Sequence, residues 1–470
     1  MTDACSHLVA NAGSFRDPTG RIYEFEGRVF RVISREAIPE YEFLRDTSLL
    51  SSLSEKGWII GSVERSAGDY VLPGNSDEKK ILLEHPRIPF ISYPYEWPFR
   101  ALQQAALLHL DLQLELLRGG ATLSDATAYN IQFDGARPMF IDVSSLRRYR
   151  ENEIWVGHRQ FCEQFLNPLL LLALTGVPYH SWYRGSLEGI TARDLAAVLS
   201  WRCKADWRTL IHVVLQARFQ SSASRRSTAD LGRLKGRGLS RSAFQGLLRQ
   251  IRNWIEALHP KGARASTWAD YERTHTYEAA EHEKKLRFVS EFAAETVPGI
   301  LWDLGCNAGQ YSIEALRSGA QRVIGFDYDL GAVDAAFERS REQNLPFLPL
   351  FLDAANPTPS QGWSQSERLG LSDRGPADAV IALAFEHHLT IGRNVPIPEF
   401  LDWLVSLAPR GVVEFVEKDD PTVQTMLALR EDIFGHYCLE NFRAALAQRA
   451  RIIKETVVSS SGRRLFWYER

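Results

Sequence analysis

The stretch Gly299-Ile-Leu-Trp-Asp-Leu-Gly-Cys-Asn-Ala-Gly309 decides the fold of the second half of this 470-residue chain. A hydrophobic run ends in Asp303, and Gly305 and Gly309 interrupt the residues that follow. Glycine suits a tight bend and allows the backbone to come close to a ligand. The pattern therefore predicts a buried strand, a ligand-binding turn and a helix that begins at Gln310.

A second strand, Arg322-Val-Ile-Gly-Phe-Asp327, also ends in an acid. Asp327 lies 22 residues after Gly305, close to the spacing of about 20 expected for a carboxylate that binds ribose hydroxyls. A nicotinamide or flavin dinucleotide site is the rival hypothesis. Against it, the middle glycine of G-x-G-x-x-G is missing, and Asp303 before the turn would repel a pyrophosphate. The same carboxylate would attract the ammonium and sulfonium groups of S-adenosylmethionine.

The segment from Asp303 to Gly309 resembles the first motif, D-x-G-x-x-x-G, of the class I S-adenosylmethionine-dependent methyltransferases. The resemblance implies an α/β fold with a Rossmann-like, mostly parallel seven-stranded sheet and a closing antiparallel hairpin. It implies S-adenosylmethionine as the cofactor. The residues expected to bind it are Asp303, Gly305, Asn307, Gly309, Asp327, Asp353 at the end of a third strand, and Tyr277 as a lid. For Tyr277 a simple packing role is the alternative.

A fourth predicted strand, residues 377–384, leads directly to Glu386-His387-His388. Open α/β sheets bind ligands at the carboxyl ends of their strands, and a hydroxyl acceptor needs a base that works near neutral pH. We expect His387, His388 or Glu386 to face the methyl acceptor. The alternative is a cluster that caps and packs the start of a helix. A metal site would need a third ligand, and none is predicted.

The remaining pattern completes the expected architecture and adds several local predictions. The long loop 356–376 is expected near the acceptor, because loops of such length are usually functional or mobile. The other elements predicted are strands at 58–63, 80–84 and 410–418, helices at 99–117 and 421–434, a turn beginning at Trp182-Tyr-Arg-Gly185, and a hairpin of 451–458 with 465–468.

In the first half, Asp125, Asn130 and Asp142 are spaced like the catalytic and metal-binding loops of protein and aminoglycoside kinases. The resemblance implies that Asp125 orients an acceptor hydroxyl while Asn130 and Asp142 hold magnesium. The departures are Leu123, where those kinases have His, and Val143-Ser144 after the second Asp. A Gly-rich phosphate loop is also missing. An active phosphotransferase, an inactive kinase-like scaffold and a polar turn that caps a helix all remain open.

Composition narrows the class of protein. With 55 Lys and Arg against 58 Asp and Glu, the formal net charge is −3, which gives no global attraction to nucleic acid or membrane. No apolar run reaches about 18 residues, so no membrane span is predicted. The five cysteines form no C-x-x-C pair, which disfavours a disulfide framework and a zinc site. No secretory signal is visible, and a cytoplasmic location is expected.

Residues 218–241 are rich in Ser, Gly and Arg, with seven basic residues against one acid. They are predicted to be an exposed linker or loop. Nucleic-acid binding is the alternative, and it is disfavoured because few aromatic residues interleave with the charges. The expected division is an α+β domain at 1–217 that is kinase-like or substrate-selecting, the linker, a connecting helix at 242–265, and the cofactor domain at 266–470.

A combination of features is similar to a group of bacterial two-part methyltransferases that includes a rhizobial host-specific nodulation protein. The features are the D-P-T-G start at Asp17, Tyr93-Pro-Tyr-Glu-Trp97, Asp125-x4-Asn130, and a cofactor domain with Ala384-Phe-Glu-His-His388 and Glu414-Phe-Val-Glu-Lys418. The resemblance implies methylation, expected at oxygen, of a small molecule or saccharide-type signal in legume nodulation. The alternatives are an ATP-dependent phosphotransferase that uses Asp125, Asn130 and Asp142, and a non-catalytic binding module. The identity of the acceptor, the acceptor atom and the oligomeric state stay open.

Overall fold

A computed structural model describes residues 8–66, 70, 80–217, 239–262, 279–428 and 430–470. Tyr277 and residues 218–238 of the predicted linker lie outside the described residues. In the described part of the chain, no helix is both long and apolar enough to cross a membrane.

A five-stranded antiparallel sheet opens the chain, in the order β1-β2-β3-β5-β4. Strands β2 and β3 form a hairpin, with its reversal at Glu26-Gly27, where both residues have positive φ. The predicted strand at 58–63 is wrong: Ile59 makes a single bridge to Phe140, and the strand begins only at Val63. The strands are β1 (Val9–Ala10), β2 (Gly20–Phe25), β3 (Arg28–Ile33), β4 (Val63–Arg65) and β5 (Ile81–His85).

Two short hairpins follow the sheet and carry the kinase-like residues. They pair β6 (Ala121–Leu123) with β9 (Leu146–Arg148), and β7 (Ile131–Asp134) with β8 (Arg137–Phe140). Because β7 and β8 form an antiparallel hairpin, Asp125 before β7 and Asp142 after β8 lie at the same end of that hairpin. The two acids are therefore close in space although they are 17 residues apart in the sequence.

The helices of the first half include one long helix, Phe99–Arg118, which packs against Asn167–Thr175 and Arg241–Glu256. They are α1 (Ile38–Asp46), α2 (Leu49–Glu55), α3 (Phe99–Arg118), α4 (His158–Phe161), α5 (Asn167–Thr175), α6 (His180–Gly185), α7 (Ala192–Val198), α8 (Trp201–Ala205), α9 (Trp207–Thr209) and α10 (Arg241–Glu256); π-helical turns at Cys162–Leu166 and Leu210–Leu215 extend α4 and α9. Helix α10, within the predicted connecting segment, lies along α3, where Arg252 pairs with Asp111 at 2.6 Å.

The predicted turn at Trp182-Tyr-Arg-Gly185 is wrong, because these residues lie in helix α6. The reason is tertiary. Tyr179 donates a hydrogen bond to the Trp97 carbonyl at 2.6 Å, the His180 ring lies 3.0 Å from the same oxygen, and Tyr183 is fully buried. Burial of these aromatic side chains favours a helical turn over the local turn signal.

The second half is a seven-stranded sheet of order β12-β11-β10-β13-β14-β16-β15. All neighbours from β12 to β14 are parallel, and β16 is antiparallel to both of its partners. The predicted Rossmann-like sheet with a closing antiparallel hairpin is confirmed. The strands are β10 (Ile300–Leu304), β11 (Arg322–Asp327), β12 (Phe347–Phe351), β13 (Ala379–Ala382), β14 (Arg410–Phe415), β15 (Arg451–Val457) and β16 (Arg464–Glu469).

Helices cover both faces of this sheet, as the continuous apolar runs of its central strands require. They are α11 (Ala279–Thr296), α12 (Gln310–Arg317), α13 (Leu330–Glu342), α14 (Glu386–Arg393), α15 (Ile397–Leu407), α16 (Pro421–Leu427) and α17 (Leu439–Ala447). The helix predicted at 421–434 ends at Leu427. Lys418 bonds the Phe434 carbonyl at 3.1 Å and pairs with Asp432 at 2.7 Å, which holds the following residues in a different path.

The two halves share one hydrophobic core. Phe90 packs edge-on against Trp302 and Phe326, with ring centroids 5.7 and 5.9 Å apart, and Phe133 meets Phe337 at 5.8 Å. An apolar contact of this kind fixes the sheet of the second half against the first half.

The loop 356–376, which we predict to lie near the acceptor, packs against the first half of the chain. Leu369 N donates to the Tyr93 hydroxyl at 2.8 Å, and Arg374 forms a buried ion pair with Glu96. Glu367 accepts two bonds from Arg16 at 2.7 and 2.9 Å. The length of the loop therefore serves the contact between the halves.

Candidate functional site

The turn after β10 has the backbone that its glycines predict. Gly305, Asn307 and Gly309 all have positive φ, at 77°, 50° and 80°. A Cβ on Gly309 would stand 2.4 Å from the Phe347 ring, so a side chain cannot fit there. The amides of Gly305 and Cys306 donate to the Phe326 carbonyl at 2.8 and 3.0 Å, which ties the turn to β11.

Asp327 stands beside this turn at the end of β11. Its carboxylate accepts hydrogen bonds from the amides of Asn307 at 2.8 Å and Asp329 at 2.9 Å. Burial raises the pKa of Asp327, while the two amides favour the charged form. A carboxylate has about four acceptor positions, more than these amides fill, so Asp327 can also accept from a hydroxyl group of a ligand. This arrangement fits a ribose.

Asp303 lies deeper than the sequence suggests. It is buried, it accepts a 2.6 Å hydrogen bond from the Ser312 hydroxyl, and burial raises its pKa to about 7. Asp303 therefore joins the end of β10 to helix α12. Asp353, beyond β12, is half-buried and accepts from Ala355 N at 3.1 Å. Since β11 and β12 are parallel neighbours, Asp327 and Asp353 lie at the same edge of the sheet.

The three residues expected at the acceptor differ in their surroundings. Glu386 is fully buried, and its carboxyl bonds the Tyr437 hydroxyl, the Thr390 hydroxyl at 2.9 Å and Val416 N at 3.4 Å. Burial raises its pKa to about 7. Glu386 therefore links the start of α14 to the end of β14 through hydrogen bonds, and it does not reach the surface.

His387 is also buried, with 1% of its surface exposed, and its Nδ1 has no hydrogen-bond partner among the described residues. Burial, the neighbouring His388 and the charge of Arg463 lower the pKa of His387 to about 3. Its imidazole is therefore neutral near pH 7. His388 is exposed, and its ring centroid lies 4.3 Å from that of His387.

A buried ionic network, missed by the sequence analysis, holds the end of β13. Glu414 on β14 accepts from Lys285 Nζ at 2.7 and 2.8 Å and from Ala384 N at 2.9 Å. Ala384 has a φ of 49°, a conformation that costs a residue with a Cβ about 1–2 kcal/mol. Arg463 stands 3.7 Å from Glu414. One sequence signal was available: Glu414 interrupts the apolar run of its strand.

The kinase-like residues also meet in space. Asn130 Nδ2 lies 3.3 Å from Asp125 and 3.3 Å from Asp142. Arg31 donates to Asp142 at 2.7 Å, and the Ser144 hydroxyl donates to the same oxygen at 2.6 Å. The carboxylate of Asp142 is therefore already occupied by protein groups, which leaves less of it for a metal ion.

A cavity of about 400 Å³ lies beside this cluster, lined by Asp17, Asp125 and Asp142 among others. Burial and the charges of Asp142 and Asp17 raise the pKa of Asp125 to about 7. Among the described residues, no group of three or more His, Cys, Asp or Glu side chains is placed to hold a metal ion.

The strand order and the turn of the second half define the fold of class I S-adenosylmethionine-dependent methyltransferases. The chain is 45% identical over 459 residues to nodulation protein NoeA of Rhizobium meliloti (strain 1021), which covers 98% of this chain and 96% of the relative. The chain therefore belongs to the NoeA family, and the resemblance inferred from its sequence is confirmed. No family model matches the chain.

Solved structures match about two-fifths of the chain. Magnesium protoporphyrin IX methyltransferase (ChlM) from Synechocystis PCC 6803 with bound SAH is 20% identical, covering 40% of this chain and 84% of that one, with a TM-score of 0.30. N-methyltransferase NodS from Bradyrhizobium japonicum WM9 is 11% identical, covering 41% and 98%, with a TM-score of 0.30. WbdD is 18% identical, covering 40% of each chain, with a TM-score of 0.29. At these scores the likeness says nothing about the reaction of this chain.

Proposed function

We propose that the chain is an S-adenosylmethionine-dependent methyltransferase whose cofactor site is the turn after β10. The observation that carries the proposal is Asp327, whose carboxylate is held beside the turn by two backbone amides and keeps acceptor positions for ribose hydroxyls. S-adenosylmethionine would supply a methyl group on a sulfonium, already activated for transfer.

Of the other residues at the cofactor site, some would contact the cofactor and one would support the turn that holds it. Gly305, Asn307 and Gly309 would bring the backbone close to the cofactor, and Asp353 would meet the adenine. Asp303 would hold the strand and the helix around the turn through Ser312. Tyr277 remains a proposed lid.

The acceptor would stand at the end of β13, near His387 and His388. His388, the exposed imidazole of the pair, would take a proton from a hydroxyl as the methyl group transfers, and this favours an oxygen acceptor. His387, which is buried with its pKa lowered to about 3, would act as a positioning residue. Glu386 would act as a positioning residue, because its carboxyl is bonded on all sides inside the protein.

The relative is named a nodulation protein, and from membership of its family we propose a role in legume nodulation. The acceptor would be a small molecule or saccharide-type signal, modified in the cytoplasm. Residues 1–217 would select this substrate, with 218–241 as a linker, 242–265 as a connecting helix, and 266–470 as the catalytic domain.

The test is transfer of labelled methyl from S-adenosylmethionine to the saccharide fraction of the host cell. We expect incorporation with the unaltered chain and a loss of at least about tenfold with His388→Gln. Normal cofactor binding without transfer to any fraction would favour the non-catalytic binding module. Mass spectrometry of the product distinguishes an oxygen from a nitrogen acceptor.

A second candidate is an ATP-dependent phosphotransferase that uses Asp125, Asn130 and Asp142. The 400 Å³ cavity beside these residues favours it. The ion pair between Arg31 and Asp142 counts against it, because magnesium would have to displace the guanidinium. ATP turnover that disappears in Asp125→Asn, which leaves the Arg31–Asp142 pair intact, would establish this second activity.

A further inference from the structure

Five large apolar side chains stand exposed within fourteen residues of the first half. Their exposed fractions are 50% for Val198, 74% for Trp201, 50% for Trp207, 39% for Leu210 and 48% for Ile211. They lie on α7, α8 and the helical stretch that begins with α9. We call these five residues the tryptophan face. An exposed apolar patch of this kind marks an interaction surface.

The last of these helical stretches is apolar on two sides. Its inner side places Thr209, His212 and Val213 against the core. Its outer side carries Trp207, Leu210 and Ile211, which follow one another at helical spacing on one face. A surface helix needs one apolar stripe to fold against its protein. The outer stripe is therefore not needed to pack this helical stretch against the core of the described residues.

Basic side chains accompany the exposed rings. The guanidinium of Arg202 stands 5.4 Å from the ring centroid of Trp201, and that of Arg208 stands 5.5 Å from Trp207. Within the described ranges, no carboxylate lies at ion-pair distance from Arg202, Arg208 or Lys204. Asp206, which accepts from the amides of residues 208 and 209 as a helix cap, is the one acid among residues 201–211 against three basic residues. The stretch around the rings therefore keeps a net positive charge.

From these observations we propose that the tryptophan face docks on a lipid surface that carries anionic headgroups. Tryptophan places an apolar ring and a polar N–H at the boundary between water and lipid, and arginine and lysine bind headgroup phosphates beside it. A second copy of the chain fits less well. A two-fold contact through this face would bring Arg202, Lys204 and Arg208 of one copy against the same residues of the other.

The test is flotation of the full chain with two kinds of vesicle, one of phosphatidylcholine alone and one that contains about one-third phosphatidylglycerol. We expect flotation with the anionic vesicles only, weakening as salt is raised. The double variant Trp201→Glu/Trp207→Glu should lose at least about tenfold in binding. The variant Arg202→Ser/Arg208→Ser, which keeps the apolar residues, should lose part of it.

Trp363→Glu is the matched control, because Trp363 is 70% exposed in a loop of the other half; it should float like the unaltered chain. Absence of flotation with anionic vesicles, or unchanged flotation of the double tryptophan variant, would overturn the proposal. A dimer in light scattering that the double variant abolishes, without flotation, would assign the face to self-association. A large fall in melting temperature of that variant, again without flotation of the unaltered chain, would show that the chain covers the face itself.

Discussion

Asp327 ends a strand and Asp142 follows one, yet the two carboxylates have different surroundings. Asp327 is held by two backbone amides, which orient it and leave its charge for a ligand. Asp142 is engaged by the Arg31 guanidinium and the Ser144 hydroxyl. A strand-end acid is thus a binding group only when the protein leaves its charge unmatched.

The largest effect is expected where Arg31 loses its partner. Arg31 has a side chain only 7% exposed, and Asp142→Ala leaves its charge buried. Removal of one partner from a buried pair costs about 3–5 kcal/mol. Urea unfolding should show this loss, while affinity for S-adenosylmethionine stays unchanged.

The double variant Arg31→Met/Asp142→Leu is the control, and it should recover most of that stability, because it removes both charges. If Asp142→Ala is as stable as the unaltered chain, the Arg31–Asp142 ion pair does not stabilise the fold. The proposed structural difference between Asp142 and Asp327 would then be wrong.

A smaller but more selective effect is expected at the other acid. Asp327→Asn keeps the size of the side chain and removes its charge, and we expect cofactor affinity to fall about a hundredfold, or about 2.7 kcal/mol. Equilibrium dialysis with labelled S-adenosylmethionine measures it. Asp142→Asn is the matched control in the first half. Equal losses in the two variants would remove the distinction between the sites.

The pH dependence of stability tests the acidic cluster of the first half. Burial and neighbouring acids raise the pKa of Asp125 to about 7 in the folded chain, against about 3.9 when unfolded. The folded state then binds more protons between about pH 4 and 7, so stability falls as pH rises through that window. Asp125→Asn removes this penalty.

We therefore expect Asp125→Asn to be more stable than the unaltered chain at pH 8 by about 2 kcal/mol. The two should have similar stability near pH 4. Urea unfolding at the two pH values measures the gap. A gap that is the same at both would mean that the carboxyl is not under the repulsion inferred for this cluster.

The smallest effect concerns the backbone at the end of β13. Ala384 has a positive φ, so Ala384→Gly should raise stability by about 0.5–1 kcal/mol. Ala382→Gly, within the buried strand, is the control and should lower stability by about 1 kcal/mol. Thermal unfolding of both variants gives the comparison. A loss in each would mean that Ala384 is not strained.

The sheet of the second half was predictable because its parallel strands are mostly apolar runs bounded by turn residues. The cofactor turn was predictable from the spacing of its glycines and from the position of Asp327. By contrast, the pairs Arg31–Asp142 and Lys285–Glu414 join residues far apart in the sequence, and no local pattern predicts them. The burial of Asp303 and Glu386 was hidden for the same reason.

Local signals also failed where tertiary packing opposed them. The loop 356–376 reads as mobile by composition, yet buried contacts of Arg374 and Tyr93 fix it to the first half. The helix α6 forms although its sequence reads as a turn. In both places side-chain burial between distant segments outweighs the preference of the segment itself.

The most direct test of the account is calorimetric titration of the unaltered chain, first with S-adenosylmethionine and then, separately, with magnesium and ATP. The account predicts one S-adenosylmethionine bound per chain and no binding of magnesium and ATP. Binding of magnesium and ATP alone would contradict it, because Asp142 would then be the acid that is open to a ligand and Asp327 the one that is not.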